Sequence, residues 1–454
     1  MRRPAAAIAA VTGLALLLLS GRYGYHRDEL YFLQAGRHLA LGYPDQPPLT
    51  PLLARLSGHS LVLLRLPSTL SASAVVYLAG LMARDLGARR NGEILASGAA
   101  ALCGFVLATG HLLSTSTTAI LGSTVITFLL IRLLLGGDRR LWLLLGLVAG
   151  ITLQANLFPA ALLAALGIGL AVTGRLRQTG PWVAGLLALA VVSPYLLWQA
   201  RHGWPQLDVA RGIADGHSTS SVSRLLFLPL QVLQVGPWLL PIWYAGLRRA
   251  WRDERLRPVA IAFPVLQVAL LAGGGKPYYA AGLYPFLLAA GAQPTVDRFR
   301  RAWVLLVLSA PAILFTLPVL PVSAASFALT VNADAGETVG WPEFAHQVVA
   351  ALPPGAAVLT DNYGQAGAVD RFSRVRAYSG HNAYGAWGPP PGQVTVLAVG
   401  LPEQTLQRLC STTRQVGTIR SPHGIDNGEN GTSLVVCVPS QPWSQTWASL
   451  RRVG

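Results

Sequence analysis

The chain has 454 residues, 52% of them hydrophobic and 12% charged, with a mean hydropathy of +0.46 and a formal net charge of +16. Ordinary soluble domains carry about 25% charged residues. This composition therefore excludes a disordered chain and a soluble multidomain enzyme, whose apolar residues would be left as large exposed patches. Its basic residues fall in short clusters between apolar runs, which argues against nucleic acid as a partner and for a polytopic protein in a lipid bilayer.

A bilayer core takes about 20 apolar residues per helical span. Runs near 5–20, 61–83, 93–110, 117–135, 141–157, 158–173, 181–198, 225–247, 258–272, 280–292 and 302–321 predict about eleven transmembrane helices, with ten to twelve allowed. No clean small-residue cleavage site follows the first run before Tyr23, so it is expected to be a retained anchor. Arginine placement sets the orientation, because short loops rich in Lys and Arg stay cytoplasmic. Arg2 and Arg3, then clusters at 84–90, 139–140, 175–177, 248–257 and 298–301, fall in every second loop. The N-terminus is then cytoplasmic and the C-terminus extracytoplasmic.

This places a first outer loop at about 21–60, a middle loop at 199–224 and a glycine-rich loop at 273–279 on the outer face. From Val322 the chain turns polar and mixes short apolar runs (356–360, 394–400 and 433–439) with helix-like stretches. Trp341-Pro342-Glu343 has the proline and acid of a helix start, and that helix would end near Pro353-Pro354. Two domains are expected: a transmembrane catalytic domain over 1–321, including the loop 21–60, and a small extracytoplasmic α/β domain over 322–454. Cys410 and Cys437 both fall in that exported tail, where a disulfide can form; free buried thiols are the alternative, and Cys103 reads as a packing residue.

The first 321 residues hold eleven acids, six of them in or beside the basic loops. Asp28, Glu29, Asp45, Asp208 and Asp215 are left on the outer side. Asp28 and Glu29 lie in a stretch, 25–40, spaced for an amphipathic helix along the outer surface. Neighbours on a helix point about 100° apart, so the two cannot do the same job; two acids capping an interfacial helix would be the structural explanation. The following Pro44-Asp45-Gln46-Pro47-Pro48 has an enforced extended backbone, suited to a loop that frames a site. Of 35 basic side chains only Lys276 is lysine. It follows three glycines, which let backbone approach a ligand, and precedes Tyr278 and Tyr279, so the segment offers donors to a phosphate; a snorkelling lysine in an aromatic belt is the bland alternative.

Tyr25 to Phe32, the turn Asp45-Gln46-Pro47-Pro48-Leu49, and Lys276-Pro277-Tyr278-Tyr279 through Leu283-Tyr284-Pro285 resemble bacterial members of glycosyltransferase family 39. This is the dolichyl-phosphate-mannose protein mannosyltransferase-like group, related to the lipid A aminoarabinose transferases. His202 to Gln206, Asp361 to Ala368 and Ser379 to Asn382 extend the resemblance through most of the chain. It implies a polytopic α-helical GT-C fold that takes a sugar from a polyprenyl-phosphate donor to a protein, lipid or glycan acceptor, outside the bacterial inner membrane. By position, Asp28 matches the aspartate facing acceptor and sugar, Glu29 its structural or acceptor-side neighbour, and Lys276 with Tyr278 and Tyr279 the donor-phosphate site.

A sugar on a lipid phosphate already has a good leaving group. The chemistry therefore needs a base and a phosphate clamp, and a divalent metal is compatible with it without being required. Asp28 would take the acceptor's proton during an inverting displacement, while Lys276, with Arg27 or Arg201, stabilises charge growing on the phosphate. His26, Asp45 and Gln46 would frame the site. Two places depart from the family pattern: 114–119 carries no acid, and Leu157-Phe158 stands where a lysine is expected. The first puts a metal or second acid there in question, the second a donor-binding role for the fifth span. A transporter or flippase that moves a lipid-linked sugar without chemistry is the competing function. Transporters carry mid-membrane charges and inverted repeats, whereas the acids here gather on one outer side.

Overall fold

The computed structural model describes residues 4–58, 60–215, 222–422, 425 and 427–454, so Arg2 and Arg3 lie outside the described residues. Each of the eleven apolar runs holds a helix or a pair of helices. Leu61–Asp85, Thr115–Leu134 and Thr179–Arg201 are long and apolar enough to cross a membrane unbroken, and two bent pairs bring the number to five. One pair bends by 56° between Ala101 and Gly104, the other by 82° at Gly236-Pro237, where proline has no N–H to continue a helix. Pro4–Leu19, Leu141–Leu153, Pro159–Val172, Arg257–Ala272 and Trp303–Thr316 are shorter apolar helices.

The helix Tyr284–Arg298 is buried along most of its length inside the bundle. It packs on Leu240–Arg252 with the backbones touching, because a Cβ on Gly246 or Gly291 would lie within 2 Å of a carbonyl oxygen of the facing helix. Small residues give such helix pairs their close approach.

The arginine-rich loops meet at one end of the bundle. Arg132 pairs with Asp85 at 2.8 Å, Arg89 pairs with Asp297, Arg249 donates to the Leu86 carbonyl, and the Arg89 N–H donates to Gln293 at 2.7 Å. The helix Leu61–Asp85 begins beside the first loop and ends at this basic end; its 25 residues span about 37 Å at 1.5 Å each.

The tail contains a five-stranded sheet: β1 Ala357–Thr360, β2 Ala377–Ser379, β3 Val396–Val399, β4 Cys410–Thr418 and β5 Ser433–Pro439, in the order β2-β1-β3-β5-β4. β1 runs parallel to β2 and β3, and β5 antiparallel to β3 and β4. The expected strands are β1, β3 and β5, and the expected helix is Trp341–Ala350. Cys410 and Cys437 are disulfide-bonded, joining the start of β4 to β5, and Cys103 is buried and free.

One core unites distant parts of the sequence. Leu30, Tyr31, Phe32, Ala35 and Leu64 pack with Trp341, Phe344, Val358, Val369 and Leu397. The helix Arg27–Arg37 is therefore not the surface-lying amphipathic helix expected from its spacing. The tail covers it, and Glu29, Gln34 and Gly36 are buried along with its apolar side chains.

Candidate active site

The helix Arg27–Arg37, here the site helix, starts with a reciprocal cap. The Nδ1 of His26 accepts the Asp28 N–H at 3.1 Å, and the Glu29 carboxylate accepts the His26 N–H at 2.9 Å. Because His26 Nδ1 is an acceptor, its proton sits on Nε2, which faces Glu337 at 3.2 Å. Glu337 also pairs with Arg27 at 3.0 Å.

Asp28 and Glu29 diverge as helix geometry requires. Glu29 is fully buried and takes both arms of Arg65, Nε at 2.9 Å and Nη2 at 2.8 Å. It also accepts the backbone N–H of Leu113 at 3.0 Å. Arg65 further donates to the carbonyls of Ser20 and Gly24, so the pair ties the first loop to the bundle. Both Glu29 oxygens are thus engaged by the protein, which favours the structural of the two roles expected for it.

Asp28 faces the other way and keeps 35% of its side chain exposed. Its Oδ1 accepts the hydroxyl of Tyr363 at 2.7 Å. Tyr363 opens the tail helix Tyr363–Phe372, which lies directly on the site helix: a Cβ on Gly367 would meet the Leu30 backbone at about 3 Å, and one on Gly364 the Arg27 side chain at 2.8 Å. Burial works against the Asp28 carboxylate, yet Arg27, the Tyr363 hydroxyl and Lys276 hold its pKa below the ordinary value. Asp28 is thus ionised at neutral pH.

Lys276 comes from the glycine-rich loop and is coupled electrostatically to Asp28 and Asp334. Burial, with Arg27 nearby, lowers its pKa, while the two carboxylates oppose that. Its Nζ lies 5.9 Å from the centre of the Tyr278 ring, and Tyr278 reaches the Ser116 side chain. Tyr279 stacks on Phe158, with 3.3 Å between ring centres. Phe158, standing where a lysine was expected, thus packs the lysine loop instead of adding charge. Asn156 donates to Thr115 at 3.0 Å, across to the acid-free segment.

Asp45 accepts the hydroxyl of Tyr31 at 2.6 Å. Burial, with Asp28 nearby, raises its pKa to about 7, although the Tyr31 hydroxyl pulls the other way. Gln46 is buried in the same turn. Arg201 ends the helix Thr179–Arg201, exposed, and among the described residues no contact links it to Asp28 or Lys276. Among those residues no set of three or more His, Cys, Asp or Glu is arranged to hold a metal.

The structure thus gathers Asp28, Arg27, His26 and Lys276, with Tyr278 beside Lys276 and Asp45 just behind. It adds Tyr363, Arg65 and Glu337. A signal for Arg65 was present, since it is the one charged residue in the run 61–83 and an arginine there demands a partner. Tyr363 lay in the resembling stretch Asp361 to Ala368 with no role attached to it, and Glu337 had no signal.

The many-helix bundle holds an acid at one end with a lysine loop beside it, and its fold matches the GT-C fold of solved membrane glycosyltransferases. Residues 45–198 match the family model described as dolichyl-phosphate-mannose-protein mannosyltransferase, so the resemblance drawn from the motifs holds. The chain is similar to ArnT from Cupriavidus metallidurans in the apo state, with a TM-score of 0.61 and 15% identity over 98% of both chains. It is similar to the same protein bound to undecaprenyl phosphate, with a TM-score of 0.56 and 16% identity over 96% of this chain and 98% of that one. At such identities the likeness establishes the fold. A search of curated proteins by sequence finds no significant match.

Proposed function

We propose that the protein transfers a sugar from a polyprenyl-phosphate donor to an envelope acceptor on the outer face of the bacterial inner membrane, with inversion at the anomeric carbon. The observation that carries this reading is the partly exposed Asp28, fixed by the Tyr363 hydroxyl at the end of the bundle away from the arginine loops, with Lys276 near enough to favour its ionised form. Asp28 takes the proton of the acceptor hydroxyl or amine. The acceptor attacks the sugar, and the polyprenyl phosphate leaves with the bonding electrons. Lys276 and Arg27 meet the charge that gathers on the leaving phosphate, and Tyr278 and Tyr279 shape the wall beside it. Preorganised cations of this kind act strongly where water is excluded.

Glu29 holds the site helix through Arg65 and takes no part in the transfer. The ArnT structure with undecaprenyl phosphate supports a polyprenyl-phosphate ligand for this fold. The arginine loops at the opposite end support a cytoplasmic placement of that end and an extracytoplasmic tail domain over 322–454. Mass spectrometry of envelope lipids, glycans and glycoproteins from cells with and without the protein tests the function. A sugar modification that disappears with the protein is expected. An unchanged envelope, with the protein expressed under the conditions of the comparison, overturns the reading.

A further inference from the structure

We propose that Tyr363, from the C-terminal domain, is a positioning residue for Asp28: its hydroxyl fixes one carboxylate oxygen so that the other is presented to the acceptor. This rests on the assignment of Asp28 as the base and adds the tail domain to the working site.

The phenol is held by ring contacts and by the anchoring of its helix. Its ring lies between those of Tyr31 and His381, each 4.8 Å away between ring centres. Asn362 caps its helix by accepting the Gln365 N–H at 2.9 Å. Buried Glu429 in turn accepts from Gln365 at 2.6 Å and Asn362 at 3.3 Å. With Gly364 and Gly367 pressed on the site helix, the hydroxyl has one carboxylate oxygen to reach, Asp28 Oδ1 at 2.7 Å.

The second oxygen is 4.0 Å from His26 Nδ1. That nitrogen already accepts the Asp28 N–H, so it has no proton to give. Oδ2 is therefore the oxygen left for the acceptor. In the transfer, the acceptor's proton moves to Oδ2, the acceptor atom bonds to the anomeric carbon, the sugar–phosphate bond breaks onto the phosphate, and Tyr363 keeps its own proton throughout.

The titratable and charged groups around Asp28 come from several elements: His26 and Arg27 on its own helix, Lys276 on the glycine-rich loop, Asp45 on the first loop, and Glu337 and Asp334 ahead of the tail sheet. Tyr363 donates a hydrogen bond to the side chain, at Oδ1. A hydrogen bond to the ionised form favours that form. Removing it raises the pKa of Asp28 and moves the acid limb of the transfer rate to higher pH.

The test is Tyr363→Phe in the full chain, purified in detergent and titrated by pH-difference infrared spectroscopy. The Asp28 carboxyl band is the one that Asp28→Asn removes. Its protonation midpoint is expected to rise by about one pH unit, the size of a hydrogen bond to a charged group. Tyr363→Met, which fills the ring's place without a hydroxyl, serves if the phenylalanine variant does not fold. An unshifted midpoint overturns the proposal. The titration needs no sugar substrate, so the two ideas fail separately. An active Asp28→Asn protein refutes the base, whereas an inactive one with an unshifted Tyr363→Phe midpoint refutes only the positioning.

Discussion

The two ends of the bundle handle charge in opposite ways. At the basic end, Arg89 and Asp297 pair with side chains 75% and 49% exposed, and Arg255 meets Asp253 at the surface. At the other end, Arg65 and Glu29 pair with no exposure at all, and Asp28 is engaged by His26, Arg27, Tyr363 and Lys276 together. Exposed pairs are screened and contribute little, whereas buried charges must be matched group by group. Most arginines are therefore read by their place in the chain, and the few charges at the site end by their partners. Neighbouring residues repeat the contrast in miniature, with Glu29 spent on structure and Asp28 left accessible.

Substitutions can break or sharpen this contrast. Asp28→Asn is expected to slow sugar transfer in membrane vesicles by about 10²–10⁴-fold per folded molecule, the usual contribution of a positioned base. Arg65→Met leaves Glu29 buried without its partner, and removing one member of such a pair typically costs about 3–5 kcal/mol. Its denaturation in detergent should show a loss of that size, with activity falling only as folded protein falls. Lys276→Ala should raise the KM for the lipid donor about tenfold or more, the worth of one charge-assisted contact to phosphate. An unchanged KM would remove the clamp.

Asp45 gives a pH signature. Its pKa is raised to about 7 in the folded chain by burial, so the folded protein keeps a proton that the unfolded chain releases above its ordinary value near 4. Stability must then fall as pH rises from about 4 through 7. Asp45→Asn should flatten that part of the Tm-against-pH curve while leaving the end near pH 4 in place. The smallest effect belongs to the basic end, where Arg89→Ala should change stability by no more than about 1 kcal/mol. A loss there as large as at Arg65 would erase the contrast.

Much of this was legible in the sequence because its signals are local. Each apolar run marked a helix or a pair of helices, Trp341-Pro342-Glu343 marked the start of the helix that follows, and the scarcity of outer acids led to Asp28. The single lysine led to the loop beside it. The surface helix did not survive, and the partners of Glu29 were not legible, for one physical reason. Both depend on what packs against residues 27–37, and the partners are Arg65 and a helix over 300 residues away. A spacing argument sees one helix and cannot see the tail that covers it. Tyr363 was hidden in the same way, although its neighbours Gly364 and Gly367 are the small residues that such a close helix contact needs.

The central claim is transfer chemistry at Asp28, and it is tested most directly by following the sugar. Vesicles carrying radiolabelled polyprenyl-phosphate-linked sugars from the native membrane, with wild-type or Asp28→Asn protein, would be extracted with organic solvent over time. The account predicts that label leaves the lipid fraction for an acceptor with the wild-type protein and stays in it with the variant. Label that crosses the bilayer still attached to its lipid, equally with both proteins and without transfer, would contradict it.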